Sequence, residues 1–210
     1  MATAVGTPAA ALTRVEKSSD WASPVPIGMM AVALTTMLVG LTNLPKPFGA
    51  GFAGGWPVFG MAVALGGGAQ FFAGVIALRT GDMFHGLGFV SFGAFWIAFT
   101  MMMNVYSPTT GSPALQYGLA GFACVWMLFT FALMINAPKF GWGTTISVVL
   151  LFVVFALLVV KYCQLGSGAT ISTSESWVIG GEILATGLSF WYVGMARLTN
   201  WNYGRKVLPI

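Results

Sequence analysis

Apolar positions fall into six long runs, each closed by polar or turn-forming residues. They cover 27–44, 58–78, 84–105, 115–135, 145–165 and 177–198. The first follows Ser23-Pro24-Val25-Pro26 and closes at Pro45-Lys46-Pro47. The second stops at Arg79-Thr80-Gly81-Asp82, the third at Ser107-Pro108, and the fourth at Asn136-Ala137-Pro138-Lys139. A Gly/Ser/Thr stretch, 166–176, separates the last two. No run alternates with a period of two. Inside hydrocarbon only helices and closed barrels satisfy every backbone group, and a spanning helix needs about 20 apolar residues. The pattern therefore predicts an all-α, six-helix transmembrane bundle over 23–203. Residues 1–22 read as a flexible polar and Ala-rich tail, and 204–210 as a short C-terminal tail. The first 20 residues lack the basic start and apolar stretch of a cleaved leader.

Composition agrees with a lipid solvent. The chain is 57% hydrophobic and 7% charged, whereas soluble domains carry roughly a quarter charged residues. A net charge of +4 from scattered Lys and Arg, with no basic stripe, gives no reason to expect nucleic acid. With six spans, one side holds Arg14, Lys17, Arg79, Lys139, Arg197, Arg205 and Lys206, against Lys46 and Lys161 on the other. That bias predicts a multi-pass cell-membrane protein with both termini cytoplasmic. Trp56, Trp142, Trp177 and Trp201 suit the interfacial belts. Cys124 and Cys163 sit in apolar runs and read as packing residues. Glycines are frequent within the runs; Gly66, Gln70 and Gly74 recur every fourth position and share one helix face, where small residues let backbones approach.

Polar side chains inside a bilayer are costly and face cavities or partner helices. Candidates are Thr35, Thr36, Gln70, Ser91, Asn104, Thr130, Ser147, Glu182, Thr186 and Ser189. Thr130 and Ser147 are expected to bond their own helix carbonyls. Gln70 must satisfy four hydrogen-bonding positions, either along a polar path or against a neighbouring helix. Glu182 is a proton-site candidate if it lies deep, and a solvated carboxylate if it lies near the interface. His85, the single histidine, reads first as an interfacial structural residue and second as a pH sensor. The Pro24-Val25-Pro26 segment predicts an extended or broken lead-in. The free N–H groups of the helix that follows would attract an anion around Ser23, Pro24 and Gly28. No nucleophile–base pair, phosphate loop, metal cluster or cofactor motif appears, so neither catalysis nor a cofactor is expected.

Four signatures together resemble the acetate uptake transporter family, which includes the bacterial succinate–acetate permeases. Ser23-Pro24-Val25-Pro26-Ile27-Gly28-Met29 is similar to its N-P-A-P-L-G-L. Gly67-Gly68-Ala69-Gln70-Phe71-Phe72-Ala73-Gly74 is similar to its G-G-x-A-Q-x-x-A-G. Ser91-Phe92-Gly93-Ala94-Phe95-Trp96 is similar to its S-Y-G-x-F-W. Trp191-Tyr192, Asn200 and Gly204-Arg205-Lys206-Val207-Leu208-Pro209-Ile210 are similar to its last helix and tail.

The resemblance implies a homo-hexamer in which each protomer has its own pore. It implies acetate or similar small monocarboxylates as substrates, with succinate a further candidate, moved with a proton or through a channel. Ser23, Pro24, Gly28, Thr35, Thr36 and Gln70, read above from the helix start and the intramembrane polar positions, are the candidate substrate contacts. The resemblance places a constriction at Val32, Phe92 and Leu151, the last aligned through Phe155-Ala156-Leu157-Leu158. Ser23 replaces the family's Asn, Val32 its Phe and Phe92 its Tyr, changes that would widen the gate and remove a hydroxyl. The implied mechanism uses N–H dipoles, hydroxyls and a dewetting gate, with no buried cation. The alternatives are a channel for neutral solutes such as ammonia or urea, and a non-transporting membrane partner or assembly subunit.

Overall fold

A computed structural model of the protein describes residues 21–46, 56–104 and 112–210. The tail over 1–20, the loop over 47–55 and the close of the third run over 105–111 lie outside the described residues. The described residues are helical throughout their spans, without strands: α1 Val25–Asn43, α2 Trp56–Met61, α3 Gln70–Arg79, α4 Met83–Asn104, α5 Pro113–Asn136, α6 Trp142–Gly166 and α7 Thr173–Asn202. A π-helical segment, Ala62–Ala69, joins α2 to α3, and a 3-10 turn, Ala137–Phe140, leads into α6. The result is six membrane-length spans, the second assembled from α2, the π segment and α3.

Many large apolar side chains face outward. Phe72 and Leu128 are each 70% exposed, and Val125 is 68% exposed. Such a surface is stable against acyl chains, not water. Association of the spans then rests on close backbone approach. Helices α1 and α7 run antiparallel: Gly180 lies beside Leu44, Gly187 beside Met37, and Gly194 beside Met29. These three glycines recur every seventh residue, so they form one seam. A Cβ at Gly187 would sit 2.5 Å from the Met37 side chain and 2.9 Å from its backbone nitrogen. The α3–α4 pair uses the same device, with Gly74 against Val90 and Gly93 against Phe71. Helices α4, α5 and α6 meet through rings instead. Phe92 stacks on Phe155 and contacts Trp126 and Phe129, while Phe95 stacks on Phe122.

Three local expectations are corrected. The Pro24-Val25-Pro26 lead-in is helical: Pro24, at φ −77° and ψ −8°, precedes a helix beginning at Val25. Pro26 falls in the first turn, where a missing N–H breaks no helical bond. The second span is not one regular helix. In its π segment a Cβ at Gly67 would sit 2.7 Å from the carbonyl oxygen of Ala62, five residues earlier. Glycine accommodates the wide turn there because it has no Cβ. Finally, α7 begins inside the stretch read as a loop. Ser172 accepts from the Glu175 N–H at 3.2 Å, and Glu175 Oε2 accepts from the Ser172 N–H at 2.7 Å. This capping box starts the helix.

Two hydroxyls behave as expected. Thr130 donates to the Trp126 carbonyl at 2.8 Å and Ser147 to the Gly143 carbonyl at 2.9 Å. At the end of the bundle where α1 begins and α7 ends, Asn200 clasps the last residues. Its Oδ1 accepts from the Val207 and Leu208 N–H groups, and its Nδ2 donates to the Leu208 carbonyl.

Candidate transport path

Two cavities lie along the bundle axis. The upper one, of about 270 Å³, sits at the end away from the termini. It gathers Thr36, Thr42 and Asn43 from α1, Trp96 and Phe99 from α4, and Lys161 and Tyr162 from α6. The lower one, of about 30 Å³, reaches toward the termini and gathers Gln70, His85 and Thr144 among apolar side chains. Val32, Phe92 and Leu151 line both cavities. They are 4%, 6% and 6% exposed, so they are buried where the walls of the two cavities meet. α1 supplies one, α4 the second and α6 the third, and the aromatic stack behind Phe92 fixes its ring.

The sequence candidates divide into those on the cavities and those off them. Thr36 lines the upper cavity and Gln70 the lower. Thr35 is buried off both, its unpartnered hydroxyl beside Gly66. A Cβ at Gly66 would press 2.9 Å from that oxygen and 2.8 Å from the Trp96 ring, so this glycine lets the second span close on α1 and α4. Gly28 is buried beneath Phe89: a Cβ there would lie within 2.6 Å of the ring. Its role is steric, since its N–H is already given to the Pro24 carbonyl at 3.1 Å. Pro24 is buried; Ser23 is exposed and borders a hollow at the terminal face together with Arg197 and Asn200. Glu182 is half-buried on α7 and lines neither axial cavity.

Two charged or titratable side chains line these cavities, Lys161 the upper and His85 the lower. Lys161 lines the upper cavity, which corrects the expectation of a path without a cation. Its Nζ donates to Asn43 Oδ1 and lies 5.6 Å from the Tyr162 ring centre. Asn43 is held in turn by its Nδ2 donating to the Val39 carbonyl at 2.8 Å. No acidic residue lines this cavity among the described residues. One acceptor leaves ammonium N–H groups for a solute.

The second group is His85, which is 2% exposed and sits in the first turn of α4. Asp82 caps α4: Oδ1 accepts from the His85 backbone N–H at 3.2 Å, and Oδ2 meets His85 Nδ1 at 2.7 Å. The D-x-x-H spacing at a helix start is the signal that could have revealed the pair. Burial pushes the Asp82 pKa up, but the hydrogen bond and charge of His85, with the field of Arg197, outweigh it and hold the carboxyl below its ordinary range. The stabilisation from this cap is full above the ordinary carboxylate range and is lost as pH falls through the lowered value. Arg197 braces the same end, its guanidinium donating to the Phe140 carbonyl at 3.2 Å.

Six spans around two axial cavities that share an apolar waist define a polytopic membrane transporter or channel. The chain belongs to the GPR1/FUN34/yaaH family, whose family pattern matches residues 5–205. It is 31% identical over 192 residues to the succinate-acetate/proton symporter SatP of Escherichia coli strain K12, covering 90% of this chain and 95% of that protein. A relative from Methanothermobacter thermautotrophicus is 30% identical over 208 residues, covering 94% and 95%. The ammonia transport outward protein 3 of Saccharomyces cerevisiae is 28% identical over 66% of this chain and 51% of its own length. The structure superposes on the bacterial acetate channel SatP with a TM-score of 0.78 and 28% identity, covering 90% of this chain and 99% of that one. These relatives of known role are transporters or channels, not enzymes.

Proposed function

We propose that the protein moves small monocarboxylates, acetate foremost and succinate as a larger candidate, through a path inside each protomer of a homo-hexamer. The observation that carries the reading is the waist: Val32, Phe92 and Leu151 belong to the walls of both cavities. A solute passing along the axis must pass these three side chains, and a dry apolar ring excludes hydrated ions while a small organic acid can shed its water there. Lys161, backed by Asn43, would collect the carboxylate above the waist, and Gln70 would receive it below. Support comes from the bacterial relatives, a succinate-acetate/proton symporter and an acetate channel. The positive charges of Arg79, Lys139, Arg197, Arg205 and Lys206 support placing the terminal face in the cytoplasm. Val32 is smaller than the aromatic its relatives are expected to carry, which favours a wider gate than acetate alone requires.

A second reading, a channel for a neutral solute, is favoured by the yeast relative named for ammonia. Lys161 would repel ammonium but not ammonia, so charge on the solute separates the two. Uptake of labelled acetate into proteoliposomes at two pH values, with butyrate and succinate as competitors, tests both. Saturable uptake blocked by butyrate supports the carboxylate reading. Ammonia flux that ignores carboxylates supports the second. A tight vesicle with neither flux supports a non-transporting membrane subunit.

A further inference from the structure

We infer that the lower cavity is a carboxyl site that reads the protonation state of the solute through Nε2 of His85. The inference rests on the carboxylate reading of the path. His85 cannot turn away from the cavity. Asp82 holds its Nδ1 and its backbone N–H. Phe84 and Phe140 meet the ring edge-on at 5.2 and 5.1 Å, and Phe89 lies 5.7 Å away. What remains is Nε2, which is buried and has no partner among the described residues. Across the same cavity, Gln70 is 1% exposed and its Oε1 is also buried without a partner. Native interiors leave few buried polar atoms unpaired, and each needs an explanation. Two of them, from different spans, line a hollow of about 30 Å³, large enough for a water or a carboxyl head group.

The chemistry follows from the fixed tautomer. A carboxylate can only accept, so the bond to Asp82 keeps the proton on Nδ1 of neutral His85. Nε2 then offers a lone pair, which matches the O–H of an undissociated acid. Protonated His85 offers Nε2–H, which matches a carboxylate. The two states interconvert within the pair: the acid O–H bond breaks as the Nε2–H bond forms, leaving a carboxylate beside an imidazolium. Gln70 carries both a donor and an acceptor and suits either state. The charged groups acting on this pair are Asp82 at the head of α4 and Arg197 from α7. Gln70 from α3, Phe140 from the 3-10 turn and Thr144 from α6 bring no charge. The sequence holds a single histidine.

That single imidazole makes the test direct. The full chain is purified without a polyhistidine tag, labelled at histidine, and followed by NMR from pH 5 to 8 in nanodiscs. Sodium acetate should move the His85 Cε1 and Nε2 resonances and displace their titration midpoint, whereas sodium chloride at equal ionic strength should not. In proteoliposomes, corrected for protein-free vesicles, His85→Phe should lower acetate uptake by about tenfold, the scale of one lost hydrogen bond to a charged group. His85→Gln should keep much of the uptake, because the amide still offers a donor and an acceptor, but its pH profile should differ from the parent's. Resonances that ignore saturating acetate while the parent transports it, with the same pH profile in both variants, would overturn the site but leave the transport reading intact. Absence of saturable acetate flux in the parent would instead sink the transport reading, and the resonance titration would still decide the site.

Discussion

The two cavities differ in size, charge and rigidity, and on the proposed path that difference would assign them separate work. The upper one is roomy and carries a cation on a long, flexible side chain. Lysine suits attraction without tight geometry. The lower one is narrow, and its polar atoms sit on residues locked by packing: an imidazole between rings and an amide at 1% exposure. A rigid, desolvated group discriminates more sharply than a solvated one, because a mismatched solute leaves it unpaired. Loose capture above and strict inspection below is an order that allows both throughput and selectivity.

The comparison can be broken most severely at the waist. Leu151→Trp should fill the ring between the cavities and lower acetate uptake by about tenfold or more, since added core volume has no free space to enter. Uptake by a folded, monodisperse Trp variant at the parent's rate would remove Leu151 from the path. Phe92→Ala should have the next largest effect, by merging the cavities. Losing a buried ring costs roughly 3–5 kcal/mol of stability, and the widened waist should raise butyrate uptake relative to acetate. Unchanged selectivity between the two labelled acids would show that the ring is no gate.

Lys161→Met is gentler. Apparent acetate affinity should weaken by about fivefold at low salt, and the gap should close as ionic strength rises, because a partly solvated charge is screened. A salt-independent loss would mean that the lysine acts by packing. Glu182→Gln should do least: uptake and its pH profile should match the parent within about twofold, because this carboxyl borders neither cavity. An altered profile would bring α7 into the path.

The architecture was legible because each span announces itself by length and polarity alone, and the turn residues closing the runs mark the ends. The waist residues could be named from the family resemblance, but composition could not place them at a boundary shared by two hollows. The misreadings are of another kind. Lys161 ends an apolar run, and a lysine there can extend to the interface or fold inward; the amide of Asn43, 118 residues away, decides which. His85 stands three residues after a capping aspartate, a pattern common at any helix start. Phe140, from the 3-10 turn, and Phe89, from its own helix, pack its ring inside the bundle. The wide turn before Gln70 was invisible because π bonding competes closely with α bonding, and packing chooses between them.

That wide turn couples indel tolerance to chemistry. A span bonded i to i+5 over Ala62–Ala69 holds slack that a regular helix lacks. Deleting one residue there would let the segment relax to 3.6 residues per turn, and the residue removed is the extra one the wide turn holds, so Gln70 and Gly74 would keep close to their present directions. The same deletion inside the regular helix α3 would instead swing everything after it by roughly 100°. A change of length by one residue should therefore be tolerated better across Ala62–Ala69 than within α3.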